Sequence, residues 1–266
     1  MLKFLPLVKA PVGMKTEDSA YHYRWNHSSV VTQATEFNRY MPKYVQNHPL
    51  TQGVGPDGVL ATDYCSLSED YFYSIDGFHT AYRDPAYEPL REDEVKFANF
   101  DELILVAATA VPVFGPAMDT AFKVWRFANF GQDANPDKAK LFWEMTYAAA
   151  VARDERLRRV LVSYVQNRKV DNFTSTFPDS ASADIVDEFW IQNLDVLPEL
   201  LEAEEVLRTR IGHERWIDPA STIMFVAEAK LLWDFGEDPG AAWSRLRRWD
   251  QTSTHPIDPL PGLPVG

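Results

Sequence analysis

The chain has almost no cysteine. Cys65 is the single one among 266 residues. That excludes an intrachain disulfide and a cysteine-based zinc site, and it fits a reducing compartment. Long apolar runs are missing too. No segment approaches the ~20 apolar residues that a membrane helix needs. The apolar start, Met1 to Val8, is too short for a secretory signal and is interrupted by Pro6 and Lys9. Positive charge is scarce: 26 Lys and Arg stand against 39 Asp and Glu, a formal net charge of −13. Such a surface repels phosphate backbones and anionic lipid, so neither nucleic acid nor a membrane is expected as a partner. A cytoplasmic protein is expected. The glycines Gly53, Gly55 and Gly58 share one loop instead of marking a strand-to-helix turn, so they do not make a phosphate site. Without a secretory signal, the sequons Asn26-His27-Ser28 and Asn172-Phe173-Thr174 read as chance.

What is abundant is apolar and aromatic. Apolar residues make up 45%, with 16 Phe, 11 Tyr and 8 Trp, enough for a large core and an aromatic-lined pocket. The chain also repeats itself. Tyr44-Val45-Gln46-Asn47 recurs as Tyr164-Val165-Gln166-Asn167, an offset of 120 residues. The same offset carries Lys3 onto Lys123, Val31 onto Val151 and Glu94 onto Glu214. Two fused units of about 120 residues are expected. Their ionisable residues differ: His27 falls on Tyr147 and His48 on Arg168. One working site and one altered site are expected.

Each unit reads strand, helix, strand, strand, helix, strand. In the first, the strands are Leu2–Val8, Pro42–His48, Tyr64–Tyr73 and Leu103–Val113. One helix is opened by a Thr16 cap and runs to about Glu36; the other covers Asp76 to about Tyr82. In the second, the strands are Phe122–Phe127, Leu161–Asn167, Ile185–Ile191 and Thr222–Trp233. Asn135-Pro136 starts one helix and Val196–Arg208 forms the other. Ala241–Trp249 reads as an extra amphipathic helix, followed by a proline-rich tail from His255. The expected fold is α+β: two fused ferredoxin-like βαββαβ units, packed sheet against sheet into one barrel with the helices outside. The expected boundaries are 1–116 for a unit with the active site, 117–236 for a unit with a degenerate site, and 237–266 for the C-terminal helix and tail.

This order of elements, the aromatic-x3-His pattern on the first helix and Tyr44-Val45-Gln46-Asn47-His48 on the second strand resemble the EthD family of the dimeric α+β barrel superfamily. The family's first-helix pattern is close to Trp-x-x-x-His-x-Pro-Leu. Here it reads Tyr23-Arg24-Trp25-Asn26-His27-Ser28-Ser29-Val30, with Tyr for Trp and Ser29 for Pro. The second unit keeps Trp143 and has Tyr147 in place of His. The chain thus looks like a tandem EthD protein. Relatives with this barrel include cofactor-free monooxygenases, polyketide cyclases, decarboxylases, lactone isomerases and, more distantly, haem proteins.

Helical spacing sets Ala20, Tyr23, His27 and Val30/Val31 on one stripe facing the sheet. An imidazole there is desolvated and near-neutral, suited to taking a proton. The alternative is a core histidine bonded to a backbone carbonyl. His22 lies five residues earlier, about 140° away around an α-helix, so the two rings would not share a metal, and His22 is read as a rim residue. No metal site is expected. Tyr44, Gln46 and His48 share one strand face; the repeated Tyr, Gln and Asn fit hydrogen bonds that hold the sheet, whereas His48 does not recur. Tyr64, Phe72 and Tyr73 on the third strand are either core aromatics or site residues. Cys65 lacks an activating neighbour, and Glu202, Glu204 and Glu205 read as a solvated helix face.

The combined expectation is a cofactor-independent lyase or isomerase (dehydration, decarboxylation or cyclisation) acting on a small aromatic or polyketide-like molecule. His27, His48, Tyr44 and Tyr73 would be catalytic; Tyr23, Val30, Val31, Tyr64 and Phe72 would bind the substrate. No cofactor is expected, and homodimerisation through the helices stays open. A cofactor-free monooxygenase and a non-catalytic accessory or binding protein of a catabolic pathway are the alternatives.

Overall fold

The structure, a computed structural model, describes residues 1–50, 62–115, 122–177 and 179–234. The loop carrying Gly53, Gly55 and Gly58, the expected helix Ala241–Trp249, the proline-rich tail and the expected unit boundaries lie outside these residues.

Among the described residues, eight antiparallel strands close one barrel in the order β1-β3-β2-β8-β5-β7-β6-β4. They are β1 (Leu2–Lys9), β2 (Lys43–Pro49), β3 (Tyr64–Phe72), β4 (Asn99–Phe114), β5 (Phe122–Ala128), β6 (Leu161–Lys169), β7 (Ile185–Ile191) and β8 (Ile223–Trp233). The first four lie in the order β4-β1-β3-β2 and the last four in the order β8-β5-β7-β6. The two sets face each other across the barrel interior, and their edge strands also pair, β2 with β8 and β4 with β6, so neither set keeps an open edge. Gly115 follows β4 at φ +76°, where a Cβ would lie 2.2 Å from the Val162 carbonyl oxygen; only glycine fits there.

Period-two alternation decides which side chains enter the barrel. Leu5, Leu7, Leu67, Val106, Trp125, Val186 and Phe225 pack inside. With them sit four charges. Lys3 bonds Glu188 and lies 2.8 Å from Glu69; Lys123 bonds Glu69 and lies 3.1 Å from Glu188. The repeated asparagines hold the same glutamates, Asn47 to Glu69 at 3.1 Å and Asn167 to Glu188 at 2.8 Å. A buried charge is tolerated when it is paired and hydrogen-bonded, and this ring is balanced two against two.

The helices lie outside. In the first half they are α1 (Thr16–Tyr21), a π-helical segment His22–His27, α2 (Ser28–Gln33), α3 (Thr35–Asn38), α4 (Ile75–Arg83) and α5 (Glu88–Glu94). In the second they are α6 (Pro136–Leu141), a π-helical segment Phe142–Tyr147, α7 (Ala148–Arg153), α8 (Glu155–Val160) and α9 (Leu197–Ile211). Thr16 is the first helical residue rather than the cap; Lys15 holds the cap position without a side-chain bond. Asn135 does cap α6, accepting from the Lys138 amide at 3.1 Å. The expected helix at Asp76–Tyr82 is α4, which ends at Arg83; Asp84 is extended, and a 3-10 turn at Pro85–Tyr87 leads into α5, which the sequence reading missed.

The π segments explain the repeated glutamine. Hydrogen bonds closing over five residues leave a carbonyl short of its usual partner. Gln46 donates to the Tyr23 carbonyl at 3.3 Å, and Gln166 donates to the Trp143 carbonyl at 2.8 Å.

Candidate functional site

Between the first-half helices and the sheet lies a cavity of about 60 Å³. Its apolar lining includes Val8, Val31, Phe37, Met41, Phe78, Phe97, Leu103 and Phe177. Its polar lining is His27, Tyr23, Tyr44, Tyr82, Ser66, Ser68, Asp70 and Glu94. No lysine or arginine is among the described residues that line it.

The π segment places the imidazoles. His22 Nε2 lies 2.8 Å from Asp93 Oδ1, and His27 Nδ1 lies 3.1 Å from Asp93 Oδ2. The reading of His22 as pointing far from His27 is therefore wrong, because it assumed α-helical geometry. Residues five apart come to one side when the helix closes over five residues. His22 is partly exposed, but it shares a carboxylate with His27. Burial would raise the Asp93 pKa; the bonds from the two histidines outweigh that and hold it well below the usual carboxylate range. An ionised Asp93 accepts, so the His27 Nδ1–H donates and Nε2 keeps its lone pair. Burial lowers the His27 pKa, with the Asp93 bond opposing, so the ring is neutral near pH 7. This is the geometry of an oriented general base.

Asp70 and Glu94 are in the opposite state. Burial pushes Asp70 up to about 7, against a bond with Ser68. Burial pushes Glu94 up to about 8, against the bond that the Tyr87 hydroxyl donates to it. Asp70 Oδ1 is buried and has no hydrogen-bond partner. Asp70 pairs across the sheet with Tyr44, whose hydroxyl pKa is raised by burial. Asp93 and Glu94 are consecutive at the end of α5, one backing the base and one facing the cavity.

Of the predicted site residues, the cavity gathers His27, Tyr44, Tyr23 and Val31. The Tyr23 hydroxyl is committed to the Leu67 carbonyl at 3.0 Å, which makes its ring a wall. The others lie elsewhere. Tyr73 follows the end of β3 and is 71% exposed, so it cannot meet a cavity substrate. Tyr64 points into the barrel against Phe225. Phe72 backs the lining residue Phe78. Val30 is half-buried at the edge of the core. His48 is buried against the far side of the Tyr23 contact, 5.3 Å between centroids, and does not line the cavity. Burial, with the charges of Arg24 and Lys230, depresses its pKa well below the ordinary value.

Sequence reasoning missed Asp70, Asp93 and Glu94 as site residues. Asp70 left a signal, an acid on the same strand face as Ser66, Ser68 and Phe72. Glu94 left another, since it recurs as Glu214. Asp93 left none without α5. Cys65 is buried, with its thiol pushed up by that burial.

The second half holds a buried cluster of charges between its helices and the sheet. Arg126 is buried and bonds Asp187 at 2.5 Å and Glu204 at 2.8 Å. Trp143, Tyr147 and Tyr164 give their donors to the same two carboxylates. Glu204 is thus a core residue, not part of a solvated face as its sequence neighbours suggested. Arg168, at the place of His48, bonds the Glu144 carbonyl at 3.1 Å. Among the described residues no group of three or more His, Cys, Asp or Glu is placed to hold a metal ion, and no helix is long and apolar enough to cross a membrane.

Several solved structures are similar. A chlorite dismutase from Candidatus Nitrospira defluvii in complex with imidazole matches with a TM-score of 0.48 at 8% identity, over 92% of this chain and 94% of that one. A provisionally named monooxygenase from Lactobacillus acidophilus NCFM matches with a TM-score of 0.46 at 9% identity, over 86% of this chain and 95% of that one. No curated protein matches the sequence. The family model of the EthD domain matches residues 12–101, the segment that carries His27, Tyr44, Asp70, Asp93 and Glu94. Most of the residues that line the first-half cavity fall within this matched segment.

Proposed function

We propose that the protein is a cofactor-independent lyase or isomerase that works by general acid–base chemistry on a small, mostly apolar molecule. The observation that carries this reading is His27: neutral, oriented by an ionised Asp93, and facing an apolar cavity. A buried neutral imidazole aligned by a carboxylate removes a proton next to a carbonyl or from a phenol. The aromatic walls keep water from competing for that proton. Tyr44 stands beside the site as a neutral hydroxyl donor to the developing oxyanion.

The recurring strand order and the 120-residue offset support a second part of the reading. The barrel is two fused ferredoxin-like units, with the boundaries expected from the sequence. The first unit keeps the site, and Arg126 with its two carboxylates occupies the second.

Hydrogen exchange next to the carbonyl of small ketones in D2O, followed by NMR, tests the base. The wild-type chain is expected to accelerate exchange. His27→Ala is expected to lower that rate ~100-fold or more while changing the melting temperature little. A variant with full activity and a large loss of melting temperature would return His27 to the core-histidine reading. Oxygen consumption during turnover would favour a monooxygenase instead.

A further inference from the structure

We propose that Asp70 and Glu94 are the proton donors of this cavity and that they select uncharged carbonyl compounds as its substrates. This rests on the reading of His27 as the base and adds the acid half of the reaction and the substrate class.

Glu69 and Glu188 are bonded to Lys3 and Lys123, Asp187 and Glu204 to Arg126, and Asp93 to two imidazoles. Among the described residues, Asp70 and Glu94 are the acids that line the cavity, and no lysine or arginine lines it with them. The groups near Asp70 are Ser68, Glu69, Tyr44 and Tyr82; those near Glu94 are Tyr87, Asp70, Asp93 and the outlying Arg91. Burial in such surroundings pushes both carboxyls well above their ordinary range, and a protonated carboxyl can donate. Asp70 Oδ1 is buried in the wall without a partner, so a substrate oxygen can bond there. Base and acids sit on different elements around one space: His27 on the helix, Asp70 on β3, Glu94 at the end of α5.

The step balances with these groups alone. His27 Nε2 takes a proton from the carbon beside the carbonyl. The C–H electron pair becomes the C=C bond of an enol, and the carbonyl oxygen takes the proton of Asp70. If the substrate has a hydroxyl one carbon further on, the enol proton returns to Asp70. The C–O bond then breaks, and the hydroxyl leaves as water with the proton of Glu94. The imidazolium of His27 finally restores the proton to Glu94. Without that hydroxyl, protonation at a different carbon gives an isomer. A carboxylate substrate would bring a third acid into an apolar space without a cation, which disfavours decarboxylation.

Two measurements on the full chain test this. Asp70→Asn and Glu94→Gln keep shape and remove the donated proton. In the first measurement, 13C-carboxyl NMR of the ligand-free protein is expected to show two side-chain carboxyls still protonated at pH 6.5. One should be missing in each variant. Two carboxyls that ionise in the ordinary range would overturn the proposal. In the second, cyclohexanone is the exchange probe and cyclohexanecarboxylate the anionic competitor. Asp70→Asn is expected to slow α-hydrogen exchange ~100-fold, and the carboxylate is expected not to compete. Exchange that needs His27 but is unchanged in Asp70→Asn would overturn the donors and leave the base standing. Protonated carboxyls together with exchange that is indifferent to His27→Ala would do the reverse. Tight competition by the carboxylate would overturn the substrate class.

Discussion

Consecutive residues Asp93 and Glu94 hold opposite charge states, and the cause is their partners rather than their position. Two imidazoles keep Asp93 ionised; burial beside Tyr87 keeps Glu94 neutral. Pairs of titratable groups with values pushed apart mark acid and base roles. A stability consequence follows for Asp70. Its carboxyl titrates at about 7 in the fold, against an ordinary 3.8. Between those values the folded state holds a proton that the unfolded chain has lost, so this group's contribution falls as pH rises through that window. His27 and His48, with lowered values, act in the opposite sense below their ordinary 6.5. They are present in both proteins and cancel when the variant is compared with the wild type. The melting temperature of Asp70→Asn relative to wild type is therefore expected to climb from about pH 4 to 7 and then level off. A difference that is constant with pH would show that burial is not what holds the proton.

At the scale of elements, the π segments set the geometry. The segment His22–His27 brings two histidines five apart onto one carboxylate, and Gln46 takes the carbonyl that the wider turn leaves over. The second half has the same device in Gln166 and Trp143, without the histidines. The two glutamines therefore allow a matched comparison. Gln46→Ala and Gln166→Ala are each expected to cost about 1–3 kcal/mol in urea unfolding, the cost of an unsatisfied buried partner. Gln46→Ala alone is expected to slow turnover, because it releases the turn that aims His27. Equal effects on rate would mean that the second half takes part in the chemistry.

For the whole molecule, closure of the barrel joins the halves twice over, at the strand edges and through the interior ring of charges. Lys123 of one half bonds Glu69 of the other, and Lys3 bonds Glu188. Lys123→Met leaves two buried glutamates facing one lysine. It is expected to cost about 3–5 kcal/mol, the range for breaking a buried pair by removing one partner. Arg126→Met should cost a similar amount by stranding Asp187 and Glu204, with little change in rate, because that cluster does not line the first-half cavity. A variant of Arg126 that lost activity without losing stability would move the working site to the second half.

The sequence alone determined where the eight strands lie along the chain, the recurring motif and the stripe that carries His27, because period-two and helical alternation and a 120-residue offset are local or self-similar signals. It also marked Tyr44, and it placed Tyr147 and Arg168 at the offset positions of the two histidines. Tertiary structure decided the rest of the site. Asp93 reaches His27 across 66 residues, by way of a helix that was not foreseen. Glu204 reaches Arg126 across 78. Tyr73 fell outside because it lies past the end of β3, exposed and off the strand face of Asp70, and His22 joined His27 on Asp93 because the helix there is wider than an α-helix. Charge state, too, belongs to the fold: whether an acid is a base's anchor or a proton donor depends on what is buried against it, and a sequence does not record which neighbours arrive.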